Sequence, residues 1–325
     1  MSTTVAGSFP AVRPGAPGLS DPAAGKPSAA YLREAKALAA AALAEDVGRG
    51  DVTTAMFAPD ARGTAVFLAK QAGVVSGLEV AKAVFRHMSP GARFTVLMAD
   101  GTAFSAGDIL AEVRAPMRAL LTGERVALNF LQRLSGVATM TARHVAAAGD
   151  PAAGPDAAVK IVDTRKTTPL LRLLEKTAVR HGGGHNHRMR LDDMAMLKNN
   201  HIDRAGSVAA AMQALRAAGF DQRRTPLAIE ARDPAETAAA VEAGADLVLL
   251  DNMTPAQAAK CAALAARRAA ERNLPAPQVE VSGGITLATI ARYARIPGVH
   301  RISVGALTHS APAIDISFRI VPDPE

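Results

Sequence analysis

The sequence predicts an α/β protein, an incomplete (open) α/β barrel joined to a smaller unit that mixes helices and strands. Three observations carry that expectation. From residue 159 onward, short apolar strands at 159–163, 194–198, 227–230, 247–250, 279–282 and 302–304 alternate with helical stretches at 169–181, 207–218, 234–243, 255–272 and 287–295, a pattern that builds a parallel sheet. Six such strands are too few for a standard eight-unit barrel, so the barrel should be incomplete, with a doubly wound open sheet as the alternative. Before residue 149 the strands do not alternate strictly with helices, as expected of a separate and smaller unit.

In chain order, residues 1–27 are rich in Pro, Gly, Ala and Ser and read as a disordered extension without the apolar run of a signal peptide. A helix begins after Ser28, with Tyr31, Leu32, Ala35, Leu38, Ala39, Ala42 and Leu43 at helical spacing until Glu45-Asp46-Val47-Gly48. Strands follow at 64–69, 74–76, 94–98 and 109–113, with a helix at 79–88 and Gly-containing turns between them. A long helical region covers 118–148, with a break expected at Ser135-Gly136. A Pro/Gly/Ala linker at 150–155 leads into the alternating half. The expected domains are therefore 1–27, 28–148, 149–311 and a tail at 312–325 that returns to the smaller domain.

Composition narrows the function classes. The 325 residues are 49% hydrophobic and 21% charged, which describes a globular protein. Only 3% are aromatic and none is Trp, so a base-stacking surface is poorly supplied and no nucleic-acid partner is expected. The net charge of +7 then points to anionic substrates. No run of about 18 apolar residues occurs, so no membrane span is expected. A single cysteine, Cys261, fits a core helix position and a reducing cytoplasm.

The charge is concentrated. Between Asp163 and His201 stand eight Lys/Arg and four of the eight His, around a Gly182-Gly183-Gly184 stretch read as a flexible loop. Arg165, Lys166, Arg188 and Lys198 are the candidate anion ligands, because Arg forks match carboxylates and Lys supplies a movable point charge. Polar residues end every strand of the alternating half: Asp163 and Arg165, Lys198 and Asn199, Glu230, Asp251 and Asn252, Ser282-Gly283-Gly284, and Gly305. Barrels place active sites at these ends. Ser282-Gly283-Gly284 feeding a helix, with Gly305 beside it, would offer backbone N–H groups to a phosphate. Glu230 and Asp251 are hard oxygen donors suited to Mg²⁺ shared with substrate phosphates. A Zn²⁺ site at His181, His185 and His187, a Schiff-base Lys at 198 or 166, and a polyanion binder remain as competing readings.

The motifs also resemble a family. Glu45-Asp46-Val47-Gly48 with Gly50-Asp51-Val52-Thr53-Thr54, Thr122-Gly123-Glu124-Arg125, 129–139, Asp163-Thr164-Arg165-Lys166-Thr167, Gly182-Gly183-Gly184, Asn186-His187-Arg188, Leu197-Lys198-Asn199-Asn200-His201 and 303–310 occur in the order found in quinolinate phosphoribosyltransferases. The resemblance runs from about residue 31 to 317. It implies an α/β sandwich domain joined to an open barrel, working as a homodimer or larger assembly of dimers whose subunits complete each other's sites. It further implies that Arg125 reaches across the interface to quinolinate, and that Arg165, His187, Arg188 and Lys198 hold the dicarboxylate with Lys166 nearby. Glu230 and Asp251 would contact the ribose hydroxyls and Mg²⁺ of phosphoribosyl pyrophosphate, and Ser282, Gly283, Gly284 and Gly305 its 5-phosphate. Lys166, Lys198, Glu230 and Asp251 are the expected catalytic residues. The implied reaction gives nicotinate mononucleotide, pyrophosphate and CO₂ in NAD biosynthesis, without an organic cofactor. One departure stands out: Arg190 occupies a position where the family commonly has Gly.

Overall fold

The computed structural model describes residues 27–149 and 159–321. The expected extension, apart from residue 27, and the linker at 150–155 lie outside them. Among the described residues the chain forms two compact units, called larger and smaller by their main sheets: the larger, with a six-stranded sheet, comprises 144–149, 159–165 and 185–304, and the smaller, with a four-stranded sheet, comprises 27–143, 166–184 and 305–321.

The smaller unit opens with helix α1 (Ala29–Val47), whose N-terminus is capped by the Ser28 hydroxyl accepting from the Tyr31 N–H at 3.1 Å. Tyr31, Ala35, Ala39 and Leu43 recur every fourth residue and form its buried stripe. A short 3₁₀ turn (Thr54–Met56) precedes β1 (Arg62–Ala69), β2 (Gly73–Val74), α2 (Leu78–Met88), β3 (Arg93–Val96), β4 (Ala103–Phe104) and β5 (Ile109–Pro116). The antiparallel sheet runs β12-β1-β5-β3, its edge strand β12 (Ile316–Val321) arriving from the far end of the chain, while β2 and β4 pair separately. Phe67, Phe85, Phe94 and Phe318 fill the space beneath this sheet, with the Phe67 and Phe318 rings 5.0 Å apart and edge-on.

Helix α3 (Met117–Ala148) is continuous for 32 residues, so the break expected at Ser135-Gly136 does not occur. Gly136 answers a different need: a Cβ there would stand 2.1 Å from the Pro312 carbonyl oxygen. The glycine admits a neighbouring backbone instead of ending a helix. Helices α4 (Arg172–His181) and α10 (Ala306–His309) also belong to this unit, although a division of the sequence at 149 and 311 puts both in the barrel domain.

The larger unit contains β6 (Lys160–Val162), β7 (Ala195–Leu197), α5 (Asn199–Ala205), α6 (Val208–Ala217), β8 (Leu227–Ala231), α7 (Pro234–Glu242), β9 (Leu247–Asp251), α8 (Pro255–Glu271), β10 (Gln278–Ser282), α9 (Ile290–Ala294) and β11 (Arg301–Ser303). Its six strands are ordered β6-β11-β10-β9-β8-β7, and each neighbouring pair is parallel. That order is the chain order of a barrel opened between β6 and β7, which confirms the open α/β barrel over the doubly wound alternative. Helix α9 is shorter than the expected 287–295, and α5 was not expected.

Period-two alternation gives the strands two different faces. Ile161, Ile229, Val248, Leu250, Val279, Val281 and Ile302 are buried on one. Ala228 and Leu247 form with Met194 an apolar cluster on the other, flanked by Met196. Asp233 and Thr254 cap α7 and α8, each followed by Pro at the first helical position. Cys261 is buried on α8, as its sequence context suggested. Among the described residues no helix is long and apolar enough to cross a membrane.

Candidate active site

The sheet register of the larger unit lines up its polar residues. Asp251, Ser282, Ser303 and Val162 are paired in turn across β9, β10, β11 and β6, and directly paired residues point to the same side of a sheet. One pleat lower, Glu230, Leu249, Glu280 and Arg301 are paired in the same way. The carboxyl ends of the strands therefore carry a row of charged and hydroxyl groups on the face of the Ala228–Leu247 cluster.

Burial dictates how these charges are matched, since an unpaired ion in such a place costs several kcal/mol. Glu280 is fully buried and takes Arg301 Nε at 3.1 Å and His187 Nε2 at 3.5 Å. Buried Glu230 receives Lys198 Nζ at 2.5 Å on Oε1 and the Asn199 N–H at 3.2 Å on Oε2. Asp251 accepts through Oδ2 from the side-chain amides of Asn199 at 3.3 Å and Asn252 at 3.0 Å.

Beyond β6 the chain is organised by Asp163, which is fully buried. Its Oδ1 accepts the His187 N–H at 2.8 Å and its Oδ2 the Asn186 amide at 2.6 Å, folding 185–188 against the strand end. The Arg188 N–H in turn donates to His187 Nδ1 at 2.7 Å, which leaves the ring proton on Nε2, facing Glu280. Arg188 Nη1 donates to the Met194 carbonyl at 2.7 Å. Burial, and then the charge of Arg165, hold the Arg188 guanidinium below its ordinary value, offset in part by Asp193 and Glu230. Two guanidinium groups close enough to repel, one of them buried, form a site that gains from an incoming anion. Arg190 is not part of it. Its side chain is exposed and pairs with the equally exposed Asp192 at 3.4 Å.

Ser282-Gly283-Gly284 forms a turn with φ of +90° at Gly283 and +64° at Gly284, and a Cβ on Gly283 would meet Asn252 Oδ1 at 2.2 Å. The turn thus requires glycine for both backbone angle and space. It does not feed a helix directly, because α9 starts only at Ile290.

The remaining candidates, Arg125, Lys166 and Gly305, fall in the smaller unit. Arg125 is exposed on α3. The backbone of Lys166 is fixed by Thr308 Oγ1, which donates to its carbonyl at 2.9 Å, and a Cβ on Gly305 would stand 3.0 Å from Lys166 Cδ. Arg133 braces the same segment by binding the fully buried Glu175 at 2.8 Å, and Glu175 also accepts from the Thr168 N–H at 3.0 Å. The triple glycine is not a free loop. Gly182 and Gly184 are buried, and a Cβ on either would press on Ala138 or Thr141 of α3.

The zinc reading finds no support in this geometry. Among the described residues no group of three or more His, Cys, Asp and Glu side chains is placed to hold a metal ion, and His181 Nδ1 is 2.8 Å from the Ser76 hydroxyl. Glu230 and Asp251 are the oxygen donors that fit a divalent cation, as two partial ligands and not as a closed cage.

Residues 137–319 match the C-terminal domain of quinolinate phosphoribosyl transferase and residues 51–135 its N-terminal domain. The chain belongs to the quinolinate phosphoribosyltransferase family. A Synechocystis relative named "Probable nicotinate-nucleotide pyrophosphorylase [carboxylating]" is 41% identical over 86% of this chain and 90% of its own length. An Arabidopsis thaliana chloroplastic nicotinate-nucleotide pyrophosphorylase is 37% identical over 91% of this chain and 85% of its own. Among solved structures, NadC from Streptococcus pyogenes is 40% identical with a TM-score of 0.79, covering 89% of this chain and 98% of that one. Several charged groups that brace these segments within one unit or the other were not among the candidate ligands read from sequence: Asp163, Glu280 and Arg301 in the larger unit, and the Arg133–Glu175 pair in the smaller. The usable signal was polar residues at every second position of 278–282 and 301–303, the inward face of two apolar strands.

Proposed function

We propose that the protein transfers the phosphoribosyl group of phosphoribosyl pyrophosphate to the ring nitrogen of quinolinate and releases pyrophosphate and CO₂, giving nicotinate mononucleotide for NAD biosynthesis. The observation that carries this reading is the division of charge across one sheet: cations gather beyond β6, and carboxylates stand at the ends of β8 and β9. A substrate pair of one small dianion and one sugar phosphate is complementary to that division.

Arg165 and Arg188 would grip the two carboxylates of the diacid in forked hydrogen bonds. His187, with Nδ1 taken by the Arg188 N–H, would act by fixing the direction of Arg188. Lys198, partly exposed at the end of β7, would stand beside both substrates, and Lys166 would add a second mobile cation. Glu230 and Asp251 would bind the ribose hydroxyls and place negative charge near the anomeric carbon as its bond to pyrophosphate breaks. They would also hold Mg²⁺ jointly with the diphosphate, and the bound cation would neutralise charge gathering on the leaving group. The backbone N–H groups of Ser282-Gly283-Gly284, and of Gly305, would receive the 5-phosphate. Once the nitrogen is ribosylated, its positive charge stabilises the electron pair left on C2 as the 2-carboxylate departs as CO₂, and that carbon then takes a proton from water to give the product. The Arg groups must therefore orient that carboxylate without overbinding it.

The Arg125 side chain is exposed and makes no hydrogen bond or ion pair among the described residues. We assign it to the diacid site of a second subunit in a homodimer, or in a larger assembly of dimers. A cytoplasmic location accords with the single, buried cysteine.

The deciding assay measures CO₂ and pyrophosphate from quinolinate with phosphoribosyl pyrophosphate and Mg²⁺, with nicotinate in parallel. Both products from quinolinate and neither from nicotinate is the expected result. Turnover of nicotinate instead would reject the dicarboxylate assignment.

A further inference from the structure

The proposed function gives a role only to Lys198 of the Lys198-Asn199-Asn200-His201 segment, and Asn199 is the next residue placed against the carboxylates. Asn199 is the first residue of α5, placed by a tight turn in which the Ile202 N–H donates to the Lys198 carbonyl and the Lys198 N–H to His201 Nδ1. From there it touches both carboxylates. Its backbone N–H donates to Glu230 Oε2 at 3.2 Å, and its side-chain amide donates to Asp251 Oδ2 at 3.3 Å. Its amide oxygen is buried and receives no hydrogen bond, so Asp251 is what orients the side chain.

Two carboxylates on neighbouring strands repel, and that repulsion rises as water leaves the site. A neutral donor bound to both restrains their separation without adding charge of either sign. A Lys in the same place would compete with a cation, and an Asp would add a third negative charge. We infer that Asn199 is a positioning residue that spaces Glu230 and Asp251, and that it governs affinity for the cation-bound phosphoribosyl substrate and not for the diacid. This inference rests on the proposed function for its substrate names but not for its geometry.

The test compares Asn199→Ala and Asn199→Asp with the intact protein. Any residue but proline keeps the backbone bond to Glu230, so the Ala variant removes only the bond to Asp251. In Asn199→Ala, KM for phosphoribosyl pyrophosphate and the Mn²⁺ dissociation constant, read by electron paramagnetic resonance with that substrate present, should each rise by about tenfold, the scale seen for groups that support metal-bound sites. KM for quinolinate should stay within about twofold, and the melting temperature should be nearly unchanged. Asn199→Asp should tighten Mn²⁺ binding. In an Asp251→Asn background, Asn199→Ala should cost less than about twofold further, because a residue acting through Asp251 has little left to lose. Equal increases in both KM values, or additive effects with Asp251→Asn, would overturn the inference. If the intact protein does not turn over quinolinate, the proposed function fails, while the Mn²⁺ titration still decides the role of Asn199. No Mn²⁺ binding by the intact protein would sink both.

Discussion

Glu280 shows how much a single buried residue can decide. It lies with Arg301 on the polar face of the sheet, against His187, and all three are nearly inaccessible. Removing one partner of a buried pair leaves the other charge uncompensated. Glu280→Gln should therefore lower unfolding free energy by about 3–5 kcal/mol in urea titrations, and Glu280→Leu with Arg301→Met should restore much of it. An undiminished single variant would mean that the carboxylate is dispensable. Leu170 is the opposite case, an exposed side chain whose cost is in the backbone. It occupies the third position of a turn closed by the Leu171 N–H on the Thr168 carbonyl at 3.1 Å, follows Pro169, and has φ of +67° with 80% of its surface exposed. This type II arrangement favours glycine. Leu170→Gly relieves about 1–2 kcal/mol of left-handed strain and loses about 0.5–1 kcal/mol to chain entropy, so a small rise in melting temperature is expected. A fall would show that the leucine is held by a contact absent from the single chain.

At the scale of elements, α3 offers a substitution whose sign propensity alone would get wrong. Gly136→Ala gains about 1 kcal/mol of helix propensity. The new Cβ, however, would lie 2.1 Å from the Pro312 oxygen and 3.2 Å from Ala313 Cα, both backbone atoms that cannot swing aside. The net effect should be a loss of at least about 1 kcal/mol, measured by chemical denaturation, with helix content by circular dichroism unchanged. The same glycine explains what sequence could and could not reveal. A Ser-Gly pair in a helical stretch reads as a break, because close approach by a segment more than 170 residues away leaves no local trace. Strands β8 and β9 were legible as short apolar runs ended by acids, and α8 by its Thr254-Pro255 start with Gln257 closing the capping box. Helix α5 was not, since only Ile202 of it is buried and no apolar period exists to find. The site divides in the same way. Glu230 and Asp251 were legible because they end strands, whereas Glu280 and Arg301 sit within strands whose apolar neighbours hide them.

At the scale of the molecule, two titrating groups of the smaller unit oppose each other. Burial raises the Asp100 carboxyl to about 6, against the hydrogen bonds it accepts from the Leu78 and Gly77 N–H groups, while burial and then Arg180 lower His181 to about 4. A carboxyl raised on folding stabilises most below its unfolded value of 3.8, and that contribution fades as pH rises through about 6. A histidine lowered on folding stabilises fully above 6.5, and its contribution fades as pH falls through about 4. Between these limits the two slopes cancel in part. Asp100→Asn should make stability climb from pH 4 to 6.5, and His181→Asn should make it decline over the same window; parallel slopes in the two variants would refute the pairing. Assembly is the larger question at this scale, because Arg125 and Lys198 lie in different units of one chain. If Arg125 serves a second subunit, Arg125→Ala and Lys198→Ala each inactivate a homodimer by different means. Mixed and allowed to exchange, they form hybrids in which one site carries both substitutions and the other neither. Random exchange makes half of the dimers hybrid, with one intact site in two, so recovery should approach about a quarter of normal kcat with an unaltered KM. If Arg125 serves its own chain, every site in every hybrid keeps one substitution. Mass-labelled proof of exchange without recovered CO₂ release would then confine the arginine to its own subunit.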